Sequence, residues 1–245
     1  MKFKPTIISI YLLNKKITKI TIAIIFNLHT HHPTRQPDLV EVENLYFGQE
    51  STGHHLYQSV GLHPWHLSDI ALPEAKAWLM EQSTRPEVVA IGETGLDKVT
   101  DTPMEIQIAA FQLCIEVAQT RQMPLIIHCV RAYEEVLLQL KTAFEAGITV
   151  PVIFHGFNKG PEVAQMLLRA GCYLSFGAAL LDERSHAGTS LQQTPADRFF
   201  LETDVAQVSI KTIYDRAAAL RAVSRGVLEA QVWGNRECLF NLRDI

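Results

Sequence analysis

Eight short apolar runs, separated by segments of different pattern, constrain the fold of this chain most strongly. They are IAIIFNLH, VEVENLYF, LYQSVGLH, EVVAIGE, PLIIHC, VPVIFHG, CYLSFG and RFFLETD. Several are continuously apolar, which is typical of parallel strands covered on both faces, whereas a sheet with one face in water gives an alternating pattern. The runs therefore predict eight buried strands of a largely parallel sheet.

Helical patterns occupy most of the intervals between these runs. Apolar residues recur at helical spacing after Met104, Pro161 and Ser209, where proline suits the first position of a helix and serine can cap it. Eight strands with intervening helices favour an α/β fold, a single distorted (β/α)8 TIM-like barrel, with a doubly wound open sheet as the alternative. The first link is too short for a full helix, so we expect the barrel to be irregular there.

We predict one folded domain preceded by a short extension. The barrel is assigned to residues 21–245 and the N-terminal extension to residues 1–20. The apolar character of the start of the chain is interrupted by Lys15, Lys16 and Lys19, so it falls short of the roughly 18 apolar residues of a membrane span. The sequence thus predicts no membrane association.

Net charge and cysteine content limit the possible substrates and the cellular compartment of the protein. A net charge of −4 gives no general attraction to nucleic acid, so a polyanionic substrate would need a local basic patch or a metal. The four cysteines are far apart and lack CxxC spacing: Cys114, Cys129, Cys172 and Cys238. This pattern predicts reduced thiols and a cytoplasmic protein.

The sequence NLHTHH, residues 27–32, places three histidines at the end of the first predicted strand. Residues two apart on a strand face the same side, so His29 and His31 can reach one point. His32 is expected to face away or to begin the following loop.

Four later strands also end in a residue that can bind metal. These residues are Glu93, His128, His155 and Asp204. Singly, each is better explained as a hydrogen-bonded rim residue or a helix cap. Together with the HxH pair, however, they predict a metal site where the carboxyl ends of barrel strands converge.

The donor set also bears on the identity and number of ions. Imidazole with carboxylate and without thiolate suits Zn²⁺, Mn²⁺ or Fe, and additional carboxylate or water ligands suit Mg²⁺. Four histidines and two carboxylates exceed the needs of one tetrahedral ion. Two divalent ions about 3.5–4 Å apart, sharing a carboxylate, would use the set better.

An ordered series of motifs resembles the TatD-like deoxyribonuclease family of metal-dependent hydrolases over residues 22–242. The motifs are HTH, VGLHPW, AIGETGLD, IIHC, FHGF, LSFG, LETD and WGN. The resemblance implies an amidohydrolase-like distorted barrel with divalent metal ions, either Mg²⁺, Mn²⁺ or Zn²⁺. It also implies hydrolysis of DNA phosphodiester bonds, as a 3′-5′ exonuclease acting on DNA or an oligonucleotide.

The resemblance further implies residue roles. It assigns the catalytic residues as Asp204, which would accept the proton of the attacking water, and Glu93, at the metal-bridging position. It assigns the metal ligands as His29, His31, Glu93, His128, His155 and Asp204. His63, in the GLHP stretch, would contact the substrate phosphate.

The chain departs from the family pattern at three residues, and the segment between its first two strands is short. Asn27 replaces a common acidic residue, which is expected to weaken a hydrogen bond behind the metal ligands. Val130 precedes Arg131, so a substrate-binding arginine is expected one position later than usual. Val205 replaces a small residue in the loop after Asp204.

Two other functions remain open from the sequence. One is hydrolysis of a small-molecule phosphoester, amide or lactone, because related barrels use the same ligands and the fold does not fix the substrate. The other is a non-enzymatic metal-binding protein. Metal-dependent consumption of short oligonucleotides, compared with generic esters, would distinguish these functions.

Overall fold

The structure is a computed structural model that describes residues 25–49, 57–67 and 70–240. Its eight strands form one parallel sheet in the order β1 to β8, each strand hydrogen-bonded to the next. The strands are β1 Ile25–Thr30, β2 Leu39–Tyr46, β3 Tyr57–Gly61, β4 Val88–Asp97, β5 Leu125–Val130, β6 Val152–Phe154, β7 Tyr173–Phe176 and β8 Phe199–Leu201. The predicted (β/α)8 architecture is confirmed.

The first and last strands meet at their carboxyl ends. Thr30 and Asp204 form a parallel bridge. The Asp204 amide donates to the carbonyl of His29 at 2.9 Å, and the His31 amide donates to the carbonyl of Asp204 at 3.2 Å. The sheet is therefore a nearly closed barrel, and the open-sheet alternative is wrong.

Seven α-helices cover the barrel within the described residues. They are α1 Leu72–Gln82, α2 Met104–Arg121, α3 Tyr133–Glu145, α4 Pro161–Arg169, α5 Ala187–Gln193, α6 Ile210–Arg221 and α7 Arg225–Leu239. As predicted, Pro161 begins a helix, Ser209 caps one through its side chain, and no helix joins β1 to β2. The predicted extension, residues 1–20, lies outside the described residues.

An aromatic cluster packs beside the seam between β1 and β8. The rings of Phe26, Phe200 and Phe240 lie edge to face, with centroids 5.6–6.0 Å apart. The buried Tyr214 hydroxyl on α6 donates to the Phe26 carbonyl at 2.8 Å. These contacts anchor the last two helices to the strand that carries the first histidine.

The four cysteines are free thiols in the described structure. Burial raises the pKa of Cys114 to about 11 and that of Cys172 to about 12, which suits packing residues and not nucleophiles. Among the described helices, none has the combined length and apolar character that a bilayer crossing requires.

Candidate metal centre

The side chain of Glu93 lies at the centre of the candidate site, on the fully buried strand β4. Its Oε2 is 3.4 Å from His29 Nε2 and 3.6 Å from His31 Nε2. Its Oε1 is 2.8 Å from His128 Nδ1 and 2.7 Å from His155 Nε2. The two carboxylate oxygens therefore face two different histidine clusters.

His29, His31 and Asp204 form the β1–β8 cluster. Asp204 Oδ1 is 3.6 Å from His29 Nε2 and 3.5 Å from His31 Nε2. These separations are longer than ordinary hydrogen bonds. They are close to the distance of about 3.4 Å between two ligands of a tetrahedral ion with bonds of about 2.0–2.1 Å. The cluster therefore has the spacing of ligands around an ion.

His29 supports the same interpretation. It is completely buried, and within the described residues neither of its ring nitrogens has a hydrogen-bond partner. Leaving a buried polar atom unsatisfied costs about 1–3 kcal/mol, so such an atom calls for a missing partner. A metal ion at Nε2 would supply one.

His128 and His155 form the β5–β6 cluster, and each has a second carboxylate behind it. His128 Nε2 is 2.9 Å from Asp97 Oδ2, and His155 Nδ1 is 3.4 Å from Glu202 Oε1. In metal sites, an outer carboxylate commonly faces one nitrogen of a ligand histidine and orients the other nitrogen toward the ion. Both histidines of this cluster have that arrangement.

Glu202 ties the β5–β6 cluster to the surrounding strands. Its Oε1 accepts a hydrogen bond from the Gly156 amide at 2.6 Å, and its Oε2 accepts one from Ser175 Oγ at 2.5 Å. Burial raises the pKa of Glu202. The contacts with His155, His29 and the Ser175 hydroxyl lower it by more, so the pKa lies below the usual value. Glu202 is thus a buried carboxylate that fixes the loop after β6.

Opposite charges shift the pKa values of Glu93 and His155. Burial raises the pKa of Glu93, but the charge of His155 and hydrogen bonds from His128 and His155 outweigh it and hold the pKa well below its usual range. Burial lowers the pKa of His155, whereas Glu93 and Glu202 raise it well above its usual value. Without a metal, the negative charge of the site therefore holds a proton on His155.

The carboxylates at the site suit a cation. Within the described residues, the ion-pair partners of Glu93, Asp97, Glu202 and Asp204 are histidines, with no lysine or arginine. Buried carboxylates need compensating charge, which divalent ions provide. Three sets of donor atoms could each hold an ion: His29, His31 and Asp204; His29, Glu93 and His155; and His63, Glu93 and His128. The residues present therefore fit divalent metal.

His63 lies beside Glu93 on the turn after β3. Its Nδ1 accepts a hydrogen bond from the Trp65 amide at 3.1 Å, which assigns the proton to Nε2, 3.2 Å from Glu93 Oε1. Burial lowers the pKa of His63 more than the contact with Glu93 raises it. His63 is therefore a neutral N–H donor aimed into the site.

Two glycines allow β3 and β5 to approach β4 closely enough to build the centre. A Cβ atom on Gly61 would lie 2.5 Å from the Gly92 carbonyl carbon and 2.8 Å from the Glu93 nitrogen. Gly95 has φ +142°, and a Cβ atom there would collide with the backbone oxygen of His128. The glycines of VGLHPW and AIGETGLD thus have a packing reason.

Asn27 does not weaken the support of the site, contrary to the expectation from the sequence. Its Oδ1 accepts a hydrogen bond from the Thr203 amide at 3.0 Å. Its Nδ2 donates to Thr203 Oγ1 at 3.0 Å and to Glu41 Oε1 at 3.3 Å. A carboxylate could not donate to Glu41, so the amide suits this position better than an acidic residue.

A cleft of about 290 Å³ opens over the centre. Lys159 lines it and is the one lysine or arginine among the described lining residues; it forms no ion pair with the described carboxylates. Val130 and the exposed Val205 also line the cleft, whereas Arg131 is exposed outside it. The arginine expected at the substrate is therefore absent from the described wall, and a lysine on the loop after β6 supplies the positive charge.

The structure brings all six predicted ligands and His63 together. His32, as predicted, lies exposed in the loop after β1. The sequence reasoning missed Asp97, Glu202 and Lys159. The first two could have been found, because Asp97 has the same strand parity as Glu93, and Glu202 lies two residues before Asp204.

A nearly closed parallel barrel with histidines and carboxylates at its carboxyl rim defines the class of metal-dependent hydrolases. A family model described as TatD related DNase matches residues 24–241, and the chain belongs to this family. The predicted family assignment is thereby confirmed.

Individual relatives agree with this assignment. The chain is 36% identical over 151 residues to an uncharacterized metal-dependent hydrolase, YabD, of Bacillus subtilis, covering 61% of this chain and 58% of the relative. It is 32% identical over 157 residues to the 3'-5' ssDNA/RNA exonuclease TatD of Salmonella typhimurium, again covering 61% and 58%. The chain thus spans less than two thirds of these relatives.

A solved structure shows the same fold. It is YJJV, a TatD homolog from Escherichia coli, with a TM-score of 0.78 and 20% identity. The match covers 91% of this chain and 100% of that one.

Proposed function

We propose that this protein is a metal-dependent phosphodiesterase that removes nucleotides from the 3′ end of single-stranded nucleic acid. The observation that carries the proposal is the position of Glu93, with one carboxylate oxygen toward the β1–β8 cluster and the other toward the β5–β6 cluster. A carboxylate shared by two ion sites is typical of enzymes that hydrolyse phosphate esters. The relatives named as 3'-5' ssDNA/RNA exonucleases support the same substrate class.

In this proposal two ions share Glu93. His29, His31 and Asp204 would hold the first, and His128 and His155 the second. Divalent ions bound there would supply positive charge at the phosphate and make a nearby water more acidic. Asp97 and Glu202 would keep the rings of His128 and His155 in a fixed orientation.

Asp204 is proposed to take the proton from the attacking water. Its Oδ1 faces His29 and His31, which leaves Oδ2 available for the proton. The side chain is about one-third exposed, so water can reach it. A positioned carboxylate of this kind contributes about 10²–10⁴-fold to a rate.

Two groups are proposed to bind the substrate phosphate. His63 would donate from Nε2, which points into the centre. The ammonium group of Lys159 would contribute a positive charge at the cleft wall. The cleft, at about 290 Å³, is at the small end of ligand pockets, which supports entry of one terminal nucleotide.

A small-molecule phosphoester remains the second candidate, because only one described lysine and no described arginine line the cleft. A long nucleic-acid track would usually include more basic residues with interleaved aromatic side chains. A cytoplasmic location also stays a prediction, and the free thiols support it.

The test compares oligonucleotides labelled at the 5′ or the 3′ end, incubated with Mg²⁺ or Mn²⁺ and with chelator. We expect metal-dependent release of 3′ mononucleotides, blocked by an inverted terminal nucleotide and lost in Asp204→Asn. The matched control is Glu116→Gln, because Glu116 is an exposed surface carboxylate whose only ion-pair partner among the described residues is Lys76. A protein that binds metal and cleaves bis(p-nitrophenyl) phosphate but no oligonucleotide would favour the small-molecule candidate.

A further inference from the structure

Trp65 lies at the rim of the cleft with much of its ring uncovered. It belongs to the short 3₁₀ turn Pro64–His66 after β3, and it lines the cleft although the residue is 58% exposed. The other large aromatic side chain exposed in the described chain, Phe144, lies on α3 and lines a separate groove. An uncovered indole beside a metal centre is a candidate contact surface for substrate.

Contacts on its polar edge hold this indole in place. Its Nε1 donates to Asp97 Oδ2 at 2.7 Å, the same oxygen that faces His128 Nε2. Its ring is nearly perpendicular to the rings of His63 and His128, at interplanar angles of 82° and 76° with centroids 5.0 and 5.8 Å away. The ring is therefore fixed before a substrate arrives, which lowers the entropic cost of stacking on it.

From this geometry we propose that Trp65 is a nucleobase platform. The base of the terminal nucleotide stacks on the indole while its phosphodiester lies over Glu93. Stacking on an aromatic ring is sequence-tolerant, because every base has a π-face, so the platform selects nucleotides over phosphoesters that lack a base without selecting among the bases. This inference rests on the proposed function and names the part of the substrate that the rim recognises.

The test uses two single-stranded oligonucleotides that differ only at the 3′ terminus. One carries a normal nucleotide and the other a tetrahydrofuran abasic residue. For the native protein we expect kcat/KM to favour the normal terminus by roughly five- to 150-fold, the range that base stacking on an aromatic ring supplies. The preference should lie mainly in KM.

Two variants separate stacking from the contact with Asp97. Trp65→Phe and Trp65→Leu both remove the hydrogen bond to Asp97, but only Trp65→Phe keeps an aromatic ring. We expect Trp65→Leu to abolish the preference for a base and Trp65→Phe to retain part of it. Equal preferences in the two variants, or an unchanged preference in Trp65→Leu, would overturn the platform.

A second readout does not depend on cleavage. The metal-loaded Asp204→Asn variant is mixed with an oligonucleotide carrying 2-aminopurine at its 3′ end, and the fluorescence quenching caused by stacking is measured. The quenching should disappear in the double variant that carries both Asp204→Asn and Trp65→Leu. Cleavage without any base preference would refute the platform alone, whereas failure of the native protein to cleave and of Asp204→Asn to bind any oligonucleotide would refute the proposed function as well.

Discussion

The two histidine clusters on either side of Glu93 differ in how their polar atoms are satisfied. In the β1–β8 cluster, the contacts of His29 with Glu93 and Asp204 are 3.4–3.6 Å long, and its ring nitrogens lack hydrogen bonds within the described residues. In the β5–β6 cluster, His128 and His155 each have a nitrogen 2.7–2.8 Å from Glu93 Oε1, although His155 Nδ1 lacks a hydrogen bond within the described residues. An ion would therefore complete the first cluster, whereas in the second both histidines are hydrogen-bonded to Glu93.

This difference separates the contribution of a residue to metal binding from its contribution to the stability of the metal-free protein. Residues of the β1–β8 cluster should contribute to metal binding with little effect on the stability of the metal-free protein. Residues of the β5–β6 cluster should contribute to both. Glu93 belongs to both clusters, so its replacement should have the largest effect.

The variant Glu93→Gln tests that shared role. We expect it to lose at least as much activity as Asp204→Asn, for which the loss of a positioned base predicts about 10²–10⁴-fold. It should also bind fewer metal ions than the native protein. Activity measurements and metal content after gel filtration check both points, and an active Glu93→Gln variant would contradict the shared role.

The matched pair His155→Leu and His29→Leu tests the difference in stability. In chelator, His155→Leu removes the cation between Glu93 and Glu202 and should cost about 3–5 kcal/mol of the free energy of unfolding. His29→Leu removes a ring with no hydrogen bonds to described residues and should cost less than about 1.5 kcal/mol. Urea unfolding measures both, and equal losses would refute the comparison.

The variant Glu202→Gln tests orientation within the β5–β6 cluster. Replacing a carboxylate behind a ligand histidine typically lowers metal affinity or activity about 10–100-fold. The exposed Glu116→Gln should leave both unchanged. Competition with a metal-sensitive dye measures the affinity, and a Glu202→Gln variant that behaves like the control would exclude this role.

The variant Asn27→Asp tests the support beneath the β1–β8 cluster. It places a second carboxylate against Glu41 and removes a donor, so it should cost about 1–3 kcal/mol of the free energy of unfolding. Adding Glu41→Gln restores a donor to the pair and should recover part of that loss. Urea unfolding of the single and double variants checks the coupling, and additive effects would contradict it.

The sequence predicted the barrel because its strands are apolar runs, several of them continuous, and most of these runs end in a histidine or a carboxylate. Strand parity placed His29 and His31 together, and the ends of the apolar runs located Glu93 and Asp204, although β4 continues past Glu93 to Asp97. Packing contacts between distant segments could not be predicted from such sequence patterns. Gly95 accommodates the backbone of His128, and no periodicity reports such a contact.

The supporting residues were harder to predict because their roles depend on partners far away in sequence. Asn27 was misjudged, since the benefit of an amide appears only when Glu41 and Thr203 lie against it. No sequence pattern distinguishes Lys159 from other loop lysines, and only the structure shows that it lines the cleft. Trp65 belongs to the VGLHPW motif, but its contact with Asp97 spans 32 positions.

Crystallographic location of Mn²⁺ by anomalous scattering would show whether Glu93 is shared by two ion sites. We expect two peaks on opposite sides of Glu93. One should lie within coordination distance of His29, His31 and Asp204, and the other near His128 and His155. A structure whose ions all lie away from Glu93, or in which Mn²⁺ avoids the β1–β8 cluster at saturating concentration, would contradict it.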